Sequence, residues 1–381
     1  MPSGTAWRRL DILDRGRHPH GERAGFCYFD TETTGLAGGT GTLIFCATVA
    51  RATEAGLEVA QVFLSEPGAE GAFLEALNAE LDGTRGIGTY NGASFDLPIL
   101  RTRWALSRLP GDPALPAHTD LLHLVRALYG ARLPSRTLRE VEFKLLGFER
   151  EDDLPGALAP EAYFAYLRRG SSPLLEPALA HNRQDAISLY HLHLLLLERL
   201  AQREAGLDGD DLYALGRVLT KRGRKADGWR ALRRAAALAD GKGSAAAAVL
   251  LARGLVKRRR VQGADRLLAE VQATVPEPVL AVVRARIREW RLRDLPGALE
   301  IVEQALSEPG AWAEDLDRRR RRLRRRLKSD RRRDHRVGVQ QAAPRGELLQ
   351  LGDQPVVEHP ALPADPFESL RGAEREPAAL A

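Results

Sequence analysis

Tyr28-Phe29-Asp30-Thr31-Glu32-Thr33-Thr34-Gly35-Leu36 is the stretch on which the reading of this chain turns. A short apolar run, residues 26–29, ends on two acids, and a threonine-glycine turn follows at once. That pattern predicts a buried strand that delivers side chains to its end. Residues i and i+2 of a strand point to the same face, so Asp30 and Glu32 are expected to project together. Two carboxylates held side by side on a half-buried strand repel each other and are costly to desolvate. A divalent cation removes that cost, and oxygen ligands of this hard type suit magnesium or manganese. A lone D-x-E reads equally well as the solvated end of an ordinary strand, so the pair needs company elsewhere in the chain.

Downstream, residues 43–51 and 57–64 read as two further strands, and residues 70–81 as a helix with Phe73, Leu74 and Leu77 at helical spacing. The glycine-rich residues 37–41 lead into a strand rather than a helix, which excludes a dinucleotide-binding reading and favours a hairpin connection. A fourth strand, residues 86–90, stops at Asn91-Gly92, and a helix then begins with Asp96 in its first turn and Pro98 just behind it. Asp96 alone is as readily a helix-start acid that answers the dipole. His118-Thr119-Asp120 is another strand end with an acid. A long helix opened by Pro177 and running to about residue 202 carries His181 and Asp185 at i and i+4, on one face. A histidine near a metal-bound water has a use, because imidazole titrates near neutrality; a surface hydrogen bond between the two is the plainer alternative.

Taken together, Asp30-x-Glu32-Thr33-Thr34-Gly35, then Asn91-x-x-x-Phe95-Asp96, then His181-x-x-x-Asp185 resemble the motifs of the DEDD superfamily of 3′–5′ exonucleases. More closely, residues 30–189, with Leu133-Pro134-Ser135 and His181-Asn182, look like the YprB-type ribonuclease-H-like domains of bacteria, which often carry helical repeats behind the nuclease domain. The resemblance covers roughly residues 20–200. It implies an α/β ribonuclease-H-like fold, a mixed five-stranded sheet flanked by helices. It also implies a metal-dependent nuclease, a 3′–5′ exonuclease acting on a single-stranded DNA or RNA end. Its cofactors would be two Mg2+ or Mn2+ ions held by Asp30, Glu32, Asp96 and Asp185, the arrangement that activates a nucleophile and stabilises the leaving oxygen in phosphodiester hydrolysis. By the same resemblance Asp30 bridges the ions, His181 orients or deprotonates the attacking water, and Thr31 and Leu36 grip the terminal nucleotide. Here histidine stands at the spacing of the superfamily's tyrosine subgroup. A structure-specific endonuclease, or an inactive scaffold that binds nucleic acid and protein, are the alternatives; four mutually repelling acids argue against the scaffold.

Length and composition bound the rest. The chain has 381 residues, 44% of them hydrophobic, which suits two domains plus tails and leaves no apolar run long enough for a membrane span. No apolar segment follows the basic residues of the N-terminus, and the two cysteines, Cys27 and Cys46, fall inside predicted strands. Both observations point to a reducing, cytoplasmic setting without disulfides. Residues 1–24 read as a polar extension, with a His18-Pro19-His20 loop, and residues 25–205 as the ribonuclease-H-like domain. Beyond a polar joint at 208–211, Gly228-Trp229-Arg230-Ala231-Leu232, Ala264-Asp265-Arg266-Leu267-Leu268 and Ala298-Leu299-Glu300-Ile301-Val302 recur at offsets of 36 and 34 residues. These are near the tetratricopeptide (TPR) period, so residues 211–310 are expected to form about three TPR-like helical hairpins offering a surface to a protein partner, with a plain helical bundle as the alternative. Residues 316–381 read as a basic, then Pro/Ala-rich tail, largely disordered, in which the 318–336 run either continues as a basic helix or lacks fixed structure. Between 318 and 336 it holds thirteen Lys or Arg against two acids, which exceeds the net +6 of the whole chain. Global charge therefore says little about the first domain, and the run is either a phosphate grip or a solvated tail.

Overall fold

A computed structural model of the chain describes residues 6–13, 25–35, 39–53, 56–108, 117–150, 154–201, 206–307 and 312–341. The expectations placed on Leu36, on the 18–20 loop and on residues 342–381 lie outside the described residues. The chain divides into two compact units, Met1–Ala205 and Gly206–Ala381.

In the first unit, β1 (Ala6–Leu13), β2 (Phe26–Thr33), β3 (Ile44–Ala52), β4 (Leu57–Leu64), β5 (Gly86–Thr89) and β6 (Ala117–Asp120) form one sheet in the order β1-β4-β3-β2-β5-β6. The first four strands pair antiparallel, whereas β5 joins β2, and β6 joins β5, in parallel. The sheet is mixed, but it has six strands where five were expected. The sixth, β1, comes from the segment read as a polar extension. Its Trp7 and Leu10 are exposed, so it lacks the alternation that announces a half-buried strand. What holds it is the backbone ladder to β4 along its whole length. At the centre, β3 is buried through its first seven residues, as a strand covered on both faces must be. Glycine is required in β5, beside β2: a Cβ at Gly86 would lie 2.4 Å from the Phe26 ring.

Around the sheet are α1 (Glu70–Leu81), α2 (Asp96–Ser107), α3 (Leu121–Tyr129), α4 (Leu138–Val141), α5 (Ala159–Arg169) and α6 (Leu175–Leu200). A π-turn, Glu142–Leu146, continues α4 and stops at Gly147, whose φ of 66° is left-handed. Phe29, Phe45, Phe73, Leu74, Trp104 and Tyr163 share one core, in which Phe45 stacks on Tyr163 with centroids 4.5 Å apart. Each such fully buried side chain contributes about 1.5–3 kcal/mol. Helix α6 lies against β2 and β3 and buries Ala178, Asn182, Ala186 and Tyr190, one residue per turn. That stripe fixes the rotation of α6 and so carries His181 and Asp185 to the end of β2.

The second unit contains α7 (Gly209–Lys221), α8 (Lys225–Leu238), α9 (Lys242–Lys257), α10 (Val261–Thr274), α11 (Pro278–Ile287), α12 (Leu295–Ala305) and α13 (Ala313–Gln341), with a π-turn, Arg288–Leu292, after α11. Each helix packs on the next, and α7 also packs on α9. A Cβ at Gly228 of α8 would stand 2.8 Å from the Gly216 carbonyl of α7, so these two helices meet backbone to backbone. Of the two readings open for the basic segment, its described part takes the helical one. Leu316, Leu323 and Leu327 recur at helical spacing among the arginines and pack with Ile301 and Val302, while Arg319, Arg322 and Arg326 pair with the buried Glu289. Among the described residues no helix is long and apolar enough to cross a membrane.

Candidate active site

Period-two alternation splits β2 between two layers. Cys27 and Phe29 enter the core described above, whereas Tyr28, Asp30 and Glu32 face α6. Tyr28 Oη lies 2.9 Å from His193 Nδ1, which docks this face of the strand on the helix. The pairing register shifts between Glu32 and Thr33, a bulge of the kind that ends a ladder and re-aims side chains at a strand end.

Asp96 arrives from the other side. Asn91 takes a left-handed φ of 65°, and Asp120 at the end of β6 accepts from the backbone N–H groups of Asn91 (3.0 Å) and Ala93 (3.2 Å), bracing the turn. Asp120 also caps α3 through Leu122 N–H, so this strand-end acid has a structural job. Asp96 is 5% exposed and accepts a hydrogen bond from the Thr31 hydroxyl at 2.5 Å. Thr31, expected to touch substrate, thus spends its hydroxyl on Asp96.

The four acids converge. Asp30 and Glu32 each keep an edge to solvent, yet burial pushes Asp30's carboxyl well above its ordinary range, and the charges of Asp185, Asp96 and Glu32 push it further. Glu32 is pushed up to about 8, by burial first and then by Asp185 and Asp96. Burial likewise raises Asp96 to about 6, against the hydrogen bond from Thr31. It raises Asp185 too, against Arg150 and His181. These are the two causes that crowd a carboxylate site, desolvation and like charge, acting on one group of side chains.

Three residues absent from the sequence-based list complete the surroundings. Asn182, fully buried, donates Nδ2–H to Asp30 Oδ2 at 2.7 Å. Its own Oδ1 accepts from Thr48 (2.5 Å), Cys46 Sγ (3.2 Å) and Gln61 (3.2 Å), a buried network that turns the amide toward Asp30. The signal was present, since an asparagine stands in the one-per-turn stripe of small and apolar residues on α6. Arg150 and Glu142 carry no such signal. Arg150 binds both oxygens of Glu142 and reaches Asp185 and His181, and two acids outweigh its burial, holding its guanidinium above the ordinary value. His181 Nε2 stands 3.8 Å from Asp185 Oδ2, as the i, i+4 spacing predicts.

The donor set is that of a hard divalent cation: four carboxylates whose burial is unfavourable without added positive charge. As they stand, among the described residues no three His, Cys, Asp or Glu side chains are grouped as a ready-made cation cage, and Arg150 supplies positive charge at Asp185.

Comparison with known proteins bears on the same region. Residues 27–197 match the model of the RNase_H superfamily. A protein of Bacillus subtilis (strain 168), described as uncharacterized protein YprB, is 38% identical over 193 residues, 50% of this chain. The match spans 46% of that relative, so the chain covers about half of its length. Among solved structures, the family B DNA polymerase of Pyrobaculum calidifontis aligns at a TM-score of 0.36 and 17% identity, over 57% of this chain and 34% of the polymerase. Within the first unit, residues 27–197 are therefore similar to the RNase_H superfamily, over a mixed sheet with flanking helices.

Proposed function

We propose that this domain is a metal-dependent nuclease of the DEDD type, a 3′–5′ exonuclease on single-stranded DNA or RNA ends. The observation that carries the reading is the crowding of Asp30 by Asp185, Asp96 and Glu32, which raises its carboxyl far above the ordinary range. A domain with no use for added cations gains nothing from such repulsion. Asp30, Glu32, Asp96 and Asp185 would hold Mg2+ or Mn2+, two ions by resemblance. Bound there, the metal supplies a nucleophile at neutral pH and charge stabilisation at the phosphorus.

The chain's own residues do the rest. Asn182 fixes the rotamer of Asp30, and Thr31 fixes that of Asp96, so both carboxylates are oriented before substrate arrives. His181 sits beside Asp185, where it can orient an oxygen at the acidic centre. The second unit, with its chain of packed helices and its 36- and 34-residue offsets, would act as a TPR-like surface for a protein partner. A catalytically inert scaffold is the second reading, and the Arg150–Asp185 pair favours it.

The test is hydrolysis of 3′- and 5′-end-labelled single-stranded DNA and RNA with magnesium or manganese. Wild type should yield a ladder shortening from the 3′ end, and Asp30→Ala and Asp185→Asn should each lose at least about 10³-fold, about 4 kcal/mol of barrier. Internal cuts would replace the exonuclease by an endonuclease. No metal-dependent cleavage, or equal cleavage by the variants, overturns the nuclease reading in favour of the scaffold.

A further inference from the structure

Arg150 meets Glu142, Asp185 and His181 in the acidic centre. Its Nε and Nη2 donate to the two oxygens of Glu142 at 2.7 and 2.5 Å, its Nη2 also donates to Asp185 Oδ1, and its Nη1 lies 3.1 Å from His181 Nδ1. The anchor is deep: the Glu142 side chain has no exposed surface and that of Arg150 is 5% exposed. The π-turn places Glu142 there, the kind of helix irregularity that recurs at functional sites. A guanidinium has five N–H donors and no acceptor. The contact with His181 therefore has one polarity, in which Arg150 donates and Nδ1 accepts. A neutral imidazole that accepts at Nδ1 carries its proton at Nε2. Nε2 is the nitrogen that faces Asp185 Oδ2, at 3.8 Å.

We propose that Arg150 is a positioning residue that sets the tautomer of His181, so that His181 serves the acidic centre as an Nε2–H donor and not as a base. With the Nδ1 lone pair engaged by Arg150 and Nε2 carrying the proton, the neutral ring has no lone pair left to take a proton from water. It can still hold an oxygen in place. The tautomer follows from the contact alone, whereas the donor role rests on the nuclease reading above.

Long-range 1H–15N correlation spectra of the 15N-labelled full chain at about pH 8, where an ordinary histidine is neutral, read the tautomer directly. His181→Asn assigns the signals by their loss. Wild type should show a protonated Nε2 and a hydrogen-bonded, unprotonated Nδ1, and Arg150→Met should lose the signature of that bond. A proton on Nδ1 in wild type overturns the proposal, as does an identical pattern in Arg150→Met. Should that variant not fold, Glu142→Gln, which weakens the anchor of Arg150 at constant size, must shift the pattern in the same direction. The wild-type spectrum decides the tautomer without either variant.

The donor role is read separately. His181→Gln keeps an N–H donor but offers no base, so cleavage should fall by less than about tenfold, one hydrogen bond's worth. His181→Leu keeps neither, and cleavage should fall by about 10²-fold or more. Equal falls in both overturn the donor role. No cleavage by any form overturns the nuclease reading and the donor role with it, while the spectrum still decides the tautomer.

Discussion

Each unit of this protein has a π-turn that sinks a glutamate into its interior, and the two glutamates live in opposite electrostatic company. In the second unit Glu289 is gripped by three arginines of one helix, Arg319, Arg322 and Arg326. Nearby Asp265 is buried too, yet Arg288 and Arg284 hold its carboxyl below the ordinary value. In the first unit, among the described residues, one arginine, Arg150, serves both Glu142 and Asp185, and Asp30 and Asp96 are met by the neutral donors Asn182 and Thr31. Buried acids with cations in surplus hold a fold together. Buried acids with cations in deficit are a standing cost, and it is this cost that the proposed cation would remove.

The contrast can be broken most forcefully at Glu289. Glu289→Ala takes from the buried Arg319 its buried acid and leaves it the more exposed Asp315 at 3.7 Å; losing one partner of a buried pair costs about 3–5 kcal/mol. Urea unfolding should show the loss in the second unit's transition. A loss under about 1 kcal/mol would class Glu289 with surface pairs and erase the difference between the units. On the other side, Mn2+ at about 100 times its dissociation constant should stabilise the first unit by about 2.7 kcal/mol, through binding to the folded form alone. Asp30→Asn should abolish that gain in thermal unfolding; an undiminished gain would mean that the cation binds elsewhere.

Smaller effects sharpen the picture. Asn182→Ala removes the amide that orients Asp30, so metal affinity measured by titration calorimetry should weaken about 10–100-fold. Unchanged affinity would show that Asp30 needs no such support. The smallest effect is the pH dependence of stability without metal. Glu32 and Asp96 have folded values of about 8 and about 6, above their ordinary 4.5 and 3.8. Their contribution is complete below the ordinary values and is lost as pH rises through about 6 and about 8. The melting temperature of the first unit should therefore decline over that window, by about 2–4 °C per kcal/mol lost. Asp265 has the opposite sign, because its lowered carboxyl contributes above 3.8 and loses that contribution as pH falls through its folded value. Parallel slopes in the two units would remove the distinction.

Much of the site could be read without coordinates. Asp30 and Glu32 share a face because a strand repeats every two residues, and His181 and Asp185 share one because a helix returns every four. Asn91-Gly92 announced the turn that delivers Asp96. Failures came where an element is held by something other than its own pattern. β1 has no apolar alternation and exists through a ladder with β4. For the basic run, open in the sequence between helix and tail, three leucines and the buried Glu289 decide for the helix α13.

The order of β2 to β6 and of the helices that follow them, and the shared faces of Asp30 with Glu32 and of His181 with Asp185, were thus legible in the sequence itself, because backbone periodicity acts over a few neighbouring residues. The partners of those acids were decided by tertiary structure alone. Asn182 meets Asp30 across 152 positions of chain, and Arg150 meets Asp185 across 35. Such pairings come from how α6 packs on the sheet and where the π-turn buries Glu142, and no local repeat encodes either. Whether His181 gives or takes a proton is fixed at that second level, by the residue that faces its other nitrogen.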